Sequence, residues 1–337
     1  MQKKNPAKRR PERLAVILLS LLFLSTAVFA TVKYVFRAPE LDTDKPVVTL
    51  DGTASTDADQ TGTDEPDAPS RTRREYCYNI LVSGLDDDNG GSDTNILVRF
   101  DVPNKRIDLV SLPRDTLLHN EYRNNKLNYA YAKGGTELLM SQIENLLGVP
   151  VDFYVTVNLK GFIALVDQID GVDFDIPINM DYDDPYQDLH IHFTKGPRHL
   201  NGQEAMEVVR FRHNNDGTGY GTEDIGRIGT QQAFLKAVAK QLLQVGNVKN
   251  IPALVDIFYT YVKTDLTTGN LVWLGNEALN IGTENIHFAT LPGDGSGYYN
   301  KQSVYVLDAQ ATCDLVNEAL NPYNETLTLE DMDILVP

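Results

Sequence analysis

The chain has 337 residues, 42% of them hydrophobic and 23% charged, which excludes a fibrous or wholly disordered protein and leaves room for one large core or two small ones. Its formal net charge of -17 excludes a general attraction to nucleic acid, so any anion it binds has to be met by locally placed cations. Two cysteines, Cys77 and Cys313, exclude a disulfide framework, and one long-range disulfide and two independent buried thiols stand as equal alternatives.

Residues 1–13, MQKKNPAKRRPER, carry six cations and one anion, and an uncharged run of 19 residues follows from Leu14 to Val32. A bilayer needs about 17–25 apolar residues in a helix, so the pattern predicts a basic cytoplasmic tail over 1–13 and a single transmembrane helix over 14–36. Cations before the span and mostly acidic sequence after it put the N-terminus in the cytoplasm and the body outside the cell membrane. The small residues at Ser25 to Ala27 support a competing reading, a cleaved signal peptide. The apolar run continues well past them and favours the anchor; in both readings the body is exported. Residues 37–75 are rich in Asp, Thr, Pro and Ala and predict a flexible acidic extracellular linker, too poor in large apolar side chains to offset the cost of ordering.

From Tyr76 the pattern changes. CYNILVSG and TNILVRFDV read as strands, and KRIDLVSL follows the turn signal PN, so the last two predict a hairpin. GGTELLMSQIENLLG is a helix closed by Gly148. VDFYVTV is a strand, LKGFIALVDQI a helix, GVDFDIPI a strand, and LNGQEAMEVVRFR and EDIGRIGTQQAFLKAVAKQLL are helices. Beyond them come helices near Pro252 to Lys263 and Thr268 to Ile281, a strand at Ile286 to Leu291, and a last strand and helix from Val304 to Leu320. The alternation predicts α/β class, a layered α/β/α domain with a central mixed sheet, over 76–333.

Several polar residues break this pattern. On the helix after Glu223, Leu235, Val238 and Leu242 share one face and Lys236 and Lys240 the opposite one; the apolar face continues backwards into Gln231, Arg227 and Asp224. An inward ionic face implies an internal ion-pair network or a cleft, and a cation at a helix start suits an anion; Asp224 taken alone is equally an N-cap. Arg210 and Arg212, spaced i, i+2, fall on one side of an extended segment with Phe211 on the other. Two guanidinium forks that close repel unless they share an anion such as phosphate; separate pairing with carboxylates is the alternative. In RIDLVSLPRDTLL a strand runs into Pro113, Arg114 and Asp115, either a plain turn or a site. Asp86 to Asp88 and Asp93 are hard oxygen donors suited to Mg2+ carried with phosphate. His190 and His192 share a strand face but lack a third ligand, which sets zinc aside.

Together ILVSGLD...GSDTNILV, DLVSLPRDT, KLNYAYAKGG, VDFYVTVNLKGFIALVDQIDGVDFDI, HLNGQEAMEVVRFR and DIGRIGTQQ resemble the LytR-CpsA-Psr family of membrane-anchored cell-wall phosphotransferases. The resemblance covers most of Tyr76 to Leu243. It implies transfer of a glycopolymer, such as a wall teichoic acid or capsular polysaccharide, from a polyprenyl-pyrophosphate carrier to a sugar hydroxyl of peptidoglycan. It assigns Asp86 and Asp93 to Mg2+, Asp93 also to deprotonation of the acceptor, and Arg114, Arg210, Arg212, Arg227 and Gln231 to the pyrophosphate. Lys126, Asp115 and Asp224 are implied to orient the arginines or touch phosphate. Many family members have arginine where this chain has Gly91 and Thr230, so two cations of the expected cluster are missing, with altered donor preference, reduced activity, or compensation by Arg99 or Arg123 as the alternatives. A non-catalytic binder of lipid-linked polymer and a pyrophosphate hydrolase are the competing functions.

Overall fold

The computed structural model describes residues 36–41, 71–85, 90–120, 122–220, 223–242 and 257–337. The predicted membrane helix lies outside them except for Phe36, and among the described residues no helix is long and apolar enough to cross a membrane. In chain order the body comprises β1 (Cys77–Leu85), β2 (Ser92–Asp101), β3 (Arg106–Leu112), α1 (Leu127–Leu147), β4 (Phe153–Asn158), α2 (Leu159–Gln168), β5 (Val172–Ile176), β6 (Met180–Asp184), β7 (Leu189–Phe193), β8 (Gly196–Leu200), α3 (Gly202–Arg210) and α4 (Glu223–Leu242). It continues through β9 (Val262–Thr264), α5 (Thr268–Ile281), β10 (Ile286–Thr290), β11 (Gly293–Tyr299), β12 (Gln302–Leu307) and α6 (Ala309–Ala319).

A six-stranded sheet runs in the order β10-β3-β2-β1-β4-β9. It is mixed, as predicted: β1, β2 and β3 form an antiparallel meander, β4 joins β1 and β10 joins β3 in parallel, and β9 joins β4 antiparallel. The period of two sorts its side chains. Leu81, Leu97 and Val110 pack with Leu139 and Ile143 of α1 and Val316 of α6 on one face. Tyr78, Ile80, Phe100 and Ile107 pack with Leu274 and Ile281 of α5 on the other. Burying each such Leu, Ile or Phe contributes about 1.5–3 kcal/mol, and the two layers of helix make the α/β/α arrangement. A separate apolar cluster joins Val166 of α2, Phe174, Ile191, Leu200, Val208 of α3 and Phe234 of α4, forming a lobe beside the sheet.

The structure departs from the sequence reading at definite places. The helix predicted from Gly134 already begins at Leu127, and Gly134 and Gly135 form a kink inside it, Gly135 at φ 68°. Glycine permits that left-handed geometry without a Cβ clash. The helix predicted through Lys263 gives way to β9, where β-branched Val262 and Thr264 pair with β4. Strands β6, β8 and β11 were not predicted, whereas the strand read at His190 to His192 is β7: β6 (MDYDD) is acidic and β11 (GDGSGYY) glycine-rich, so neither carries a strong apolar alternation. Arg210 ends α3 rather than lying in an extended segment.

The described parts of the predicted linker are held to the domain. Arg73 pairs with Asp152, Arg74 with Asp101 at 2.7 Å and Arg71 with Asp331. Tyr78 Oη donates to the carbonyl of Pro39 at 3.1 Å, and Asn270 Nδ2 to that of Arg37 at 3.1 Å. Both cysteines are free and buried, which settles the alternatives in favour of thiols; burial pushes the Cys77 thiol up to about 11.

Candidate functional site

At the carboxyl end of the sheet's parallel strands, a cavity of about 560 Å³ opens between the sheet and helices α2 and α4. Such ends are where open α/β sheets receive ligands, and the volume suits a ligand-sized group. Its interior is apolar, with Ile96, Val157, Phe162, Leu189, Phe234 and Leu235; Arg114, Arg210, Arg212 and Arg227 line it together with Asp93. Among the described lining residues, four guanidinium groups therefore face one carboxylate, in a chain of net charge -17.

Each of these arginines is placed by its local structure. Pro113 has no N–H to continue the ladder, so β3 stops, and Thr116 N–H and Oγ1–H both donate to the Pro113 carbonyl, at 3.0 and 2.6 Å. The turn is real, and it aims Arg114 at the cavity: its Nη1 donates to Asp93 at 2.6 Å. Asp115 lies between Arg114 and Lys126, 3.2 Å from Lys126 Nζ and 3.9 Å from Arg114 Nε. Lys126 and Asp115 are not among the lining residues and stand next to Arg114 as its neighbours.

Phe211 caps α3 in an extended conformation and is fully buried, which leaves Arg210 and Arg212 to project together into the cavity. The inference of a shared side holds although Arg210 is helical. Arg210 Nη2 donates to Gln187 Oε1 at 2.5 Å, from the loop between β6 and β7. On α4 the inward polar face is present: Arg227 is 6% exposed, Gln231 lines the cavity, and Lys236 and Lys240 are exposed. Gly226 allows the close approach of Tyr220, since a Cβ there would come within 2.2 Å of the Tyr220 Cβ. Tyr220 in turn packs edge-on against Phe211, ring centroids 5.6 Å apart, and burial raises its phenol above the ordinary value. Asp224 sits in the first turn of α4; its side chain, like the whole of Asp86, lies outside what is described.

Gln231 Nε2 donates to the Val209 carbonyl at 3.0 Å, joining α4 to the end of α3. Gln232, which sequence reasoning passed over, is the firmer anchor: its Nε2 meets the Ala289 carbonyl at 2.7 Å, Thr290 Oγ1 at 2.8 Å and Ser111 Oγ at 3.0 Å. Asn128, Asn158, Tyr182 and His213 also line the cavity and were missed. Only Asn158 had a readable signal, as the N-cap of α2, accepting from Gly161 N–H at 2.8 Å.

The two positions without the expected arginine differ. Gly91 lines the cavity, and a Cβ there would meet nothing nearer than the Asn128 carbonyl at 3.8 Å. Thr230 is buried, and its hydroxyl lies 3.0 Å from Tyr220 Oη and 3.2 Å from the Gly226 carbonyl. Arg99 does not compensate, being buried against Asp108 at 2.7 Å near the opposite end of the sheet, whereas Arg123 is exposed next to Asn124, which lines the cavity.

Comparison with known proteins gives the same direction. The family described as LytR_cpsA_psr matches residues 47–321. A Bacillus cereus relative, "Polyisoprenyl-teichoic acid--peptidoglycan teichoic acid transferase TagU", is 32% identical over 267 residues, 78% of this chain and 83% of the relative. "Regulatory protein MsrR" of Staphylococcus aureus is 30% identical over 219 residues, 63% of this chain and 64% of that protein. The crystal structure of Bacillus subtilis TagV superposes with a TM-score of 0.62 at 26% identity, over 78% of this chain and all of that one.

Proposed function

The chain belongs to the LytR_cpsA_psr family, and on that premise we propose that it is a phosphotransferase that moves a teichoic-acid-type or capsular glycopolymer from a polyprenyl-pyrophosphate carrier to peptidoglycan. The observation that carries the reading is the cavity in which four arginines face one carboxylate above an apolar interior. The guanidinium groups match the oxygens of a pyrophosphate, and the apolar walls match the adjoining lipid.

In this mechanism Arg114, Arg210, Arg212 and Arg227 hold the pyrophosphate and spread its charge. A sugar hydroxyl of the acceptor attacks the glycopolymer-bearing phosphorus. A P–O bond forms to the acceptor, the bridging P–O bond breaks, and polyprenyl phosphate leaves with the electron pair. The transition state is loose, so positioning and charge neutralisation outweigh base strength. Asp93, the one carboxylate among the described lining residues, receives the hydroxyl proton, and its ion pair with Arg114 fixes both groups. Gln231 and Gln232 keep α4 in place. A cavity carboxylate beside phosphate oxygens suits Mg2+, which usually takes one or two carboxylates plus phosphates. Asp93, with Asp86, would hold it; bound there it would supply further charge neutralisation. The N-terminal segment anchors the chain in the cell membrane with the N-terminus cytoplasmic, keeping the body beside both lipid carrier and wall.

The test is to incubate the purified chain with a polyprenyl-pyrophosphate glycan, Mg2+ and peptidoglycan fragments. Transfer of glycan with release of polyprenyl phosphate is expected. Binding without release overturns the enzyme reading in favour of a non-catalytic binder. Release without transfer shows a hydrolase.

A further inference from the structure

The sequence offered two histidines on one strand and no third ligand; the hairpin supplies it. In the antiparallel pairing of β6 with β7, Asp183 stands opposite His190 and Asp181 opposite His192. All four point outward, while Leu189, Ile191 and Phe193 face the core. Asp183 Oδ1 lies 2.5 Å from His190 Nδ1 and 3.3 Å from His192 Nε2. One ligand atom from each of Asp183, His190 and His192 falls within 4.8 Å of the other two.

We infer that Asp183, His190 and His192 form a binding site for a zinc-like divalent transition metal on the outer face of this hairpin, separate from the cavity. Two imidazole nitrogens and a carboxylate oxygen make a donor set suited to Zn2+ rather than Mg2+. The surroundings go beyond three ligands. With His192 Nε2 turned toward Asp183, its Nδ1 lies 2.8 Å from Asp181 Oδ1. With His190 Nδ1 turned toward Asp183, its Nε2 faces Asp188, 3.7 Å away. A carboxylate behind each ligating imidazole is the arrangement that orients metal-bound histidines. His199 provides the contrast, since its ion pair is with Asp173 at 2.7 Å and it belongs to no such cluster of three. Among the described residues no other such group of three occurs.

The position gives the metal a consequence. The same hairpin places Tyr182 and Leu189 in the cavity wall, and its loop carries Gln187, the acceptor for Arg210. A metal joining β6 to β7 staples that wall, and does so whether or not the transferase reading holds.

The test uses the full-length chain without a histidine tag, titrated with Zn2+ by calorimetry in excess Mg2+, which occupies hard oxygen sites. One saturable Zn2+ equivalent is expected, and Co2+ in its place should give visible d–d absorption of a low-coordinate site. Losing an outer carboxylate alone typically weakens metal binding about 10–100-fold, so His190→Ala and His192→Ala should each weaken it at least as much. His199→Ala should leave it unchanged. Absence of saturable Zn2+ uptake overturns the inference, as does uptake that survives both variants. Circular dichroism of these exposed-site variants confirms that they fold, so lost binding reports the ligands.

Discussion

Replacing Arg210 with alanine separates a binding arginine from a structural one. In the free protein it makes a hydrogen bond to Gln187 at 2.5 Å and a 4.0 Å contact with Met206 Sδ, both from a partly exposed side chain. Losing a hydrogen bond of this kind costs the fold about 0.5–1.5 kcal/mol. Losing a charge-assisted bond to a pyrophosphate oxygen costs about 1.5–3 kcal/mol, which corresponds to about a 10- to 150-fold fall in kcat/KM for the lipid-linked donor. The assay pairs transfer kinetics with urea unfolding of the same preparation. Arg210→Lys keeps the charge but not the planar fork, and should recover only part of the loss. Activity within about threefold of the parent would refute the binding role. A stability loss as large as the kinetic one would return Arg210 to the ion-pair reading.

Three further outcomes follow from the packing. Gln232→Leu removes a donor shared among three acceptors that tie α4 to β3 and β10; urea unfolding should show a loss of about 1–3 kcal/mol, and transfer should slow because displaced catalytic groups are costly. Asp108→Ala leaves Arg99, 5% exposed, without the carboxylate it shares with Arg106, and should cost about 3–5 kcal/mol while the folded fraction keeps its kcat/KM. The buried thiols, with Cys77 at about 11, remain protonated at pH 8, so iodoacetamide should label neither until denaturant is added, with electrophoretic mobility the same with and without reductant.

Where burial followed a simple period, the sequence was readable. The β2–β3 hairpin, α5 at Thr268–Ile281 and the inward line of Arg227 and Gln231 on α4 all appear as periodicity predicts. The cation cluster was readable because Pro113 and buried Phe211 fix which way their neighbours point. What escaped was set by partners distant in sequence. Gln232 matters through Ala289 and Thr290, 57 and 58 residues away, and no helical pattern encodes that. The third ligand beside His190 and His192 arrives only through the register of a hairpin whose first strand is an acidic run. Val262–Thr264 became a strand because its β-branched residues found the edge of β4, a partner about a hundred residues away that the local helical pattern does not encode.

The arginines near the two ends of the sheet show why residue type alone could not locate the site. Near the amino end of β1, Arg71, Arg73, Arg74, Arg99 and Arg106 each meet a carboxylate: Asp331, Asp152, Asp101 or Asp108. These pairs cancel locally, and their field fades within a few ångströms of the surface. At the carboxyl end, Arg114, Arg210, Arg212 and Arg227 line a cavity whose described residues include one carboxylate. Low-dielectric walls such as Ile96 and Phe234 strengthen that excess charge. The net charge of -17 disfavours a polyanion in general, so the cavity is a place among the described residues where the chain attracts one. Function therefore resides in the local excess of guanidinium over carboxylate, and a substitution that adds a carboxylate to the cavity, such as Gly91→Asp, should weaken donor binding by an amount comparable to the loss of one arginine, since each lowers the cavity charge by one.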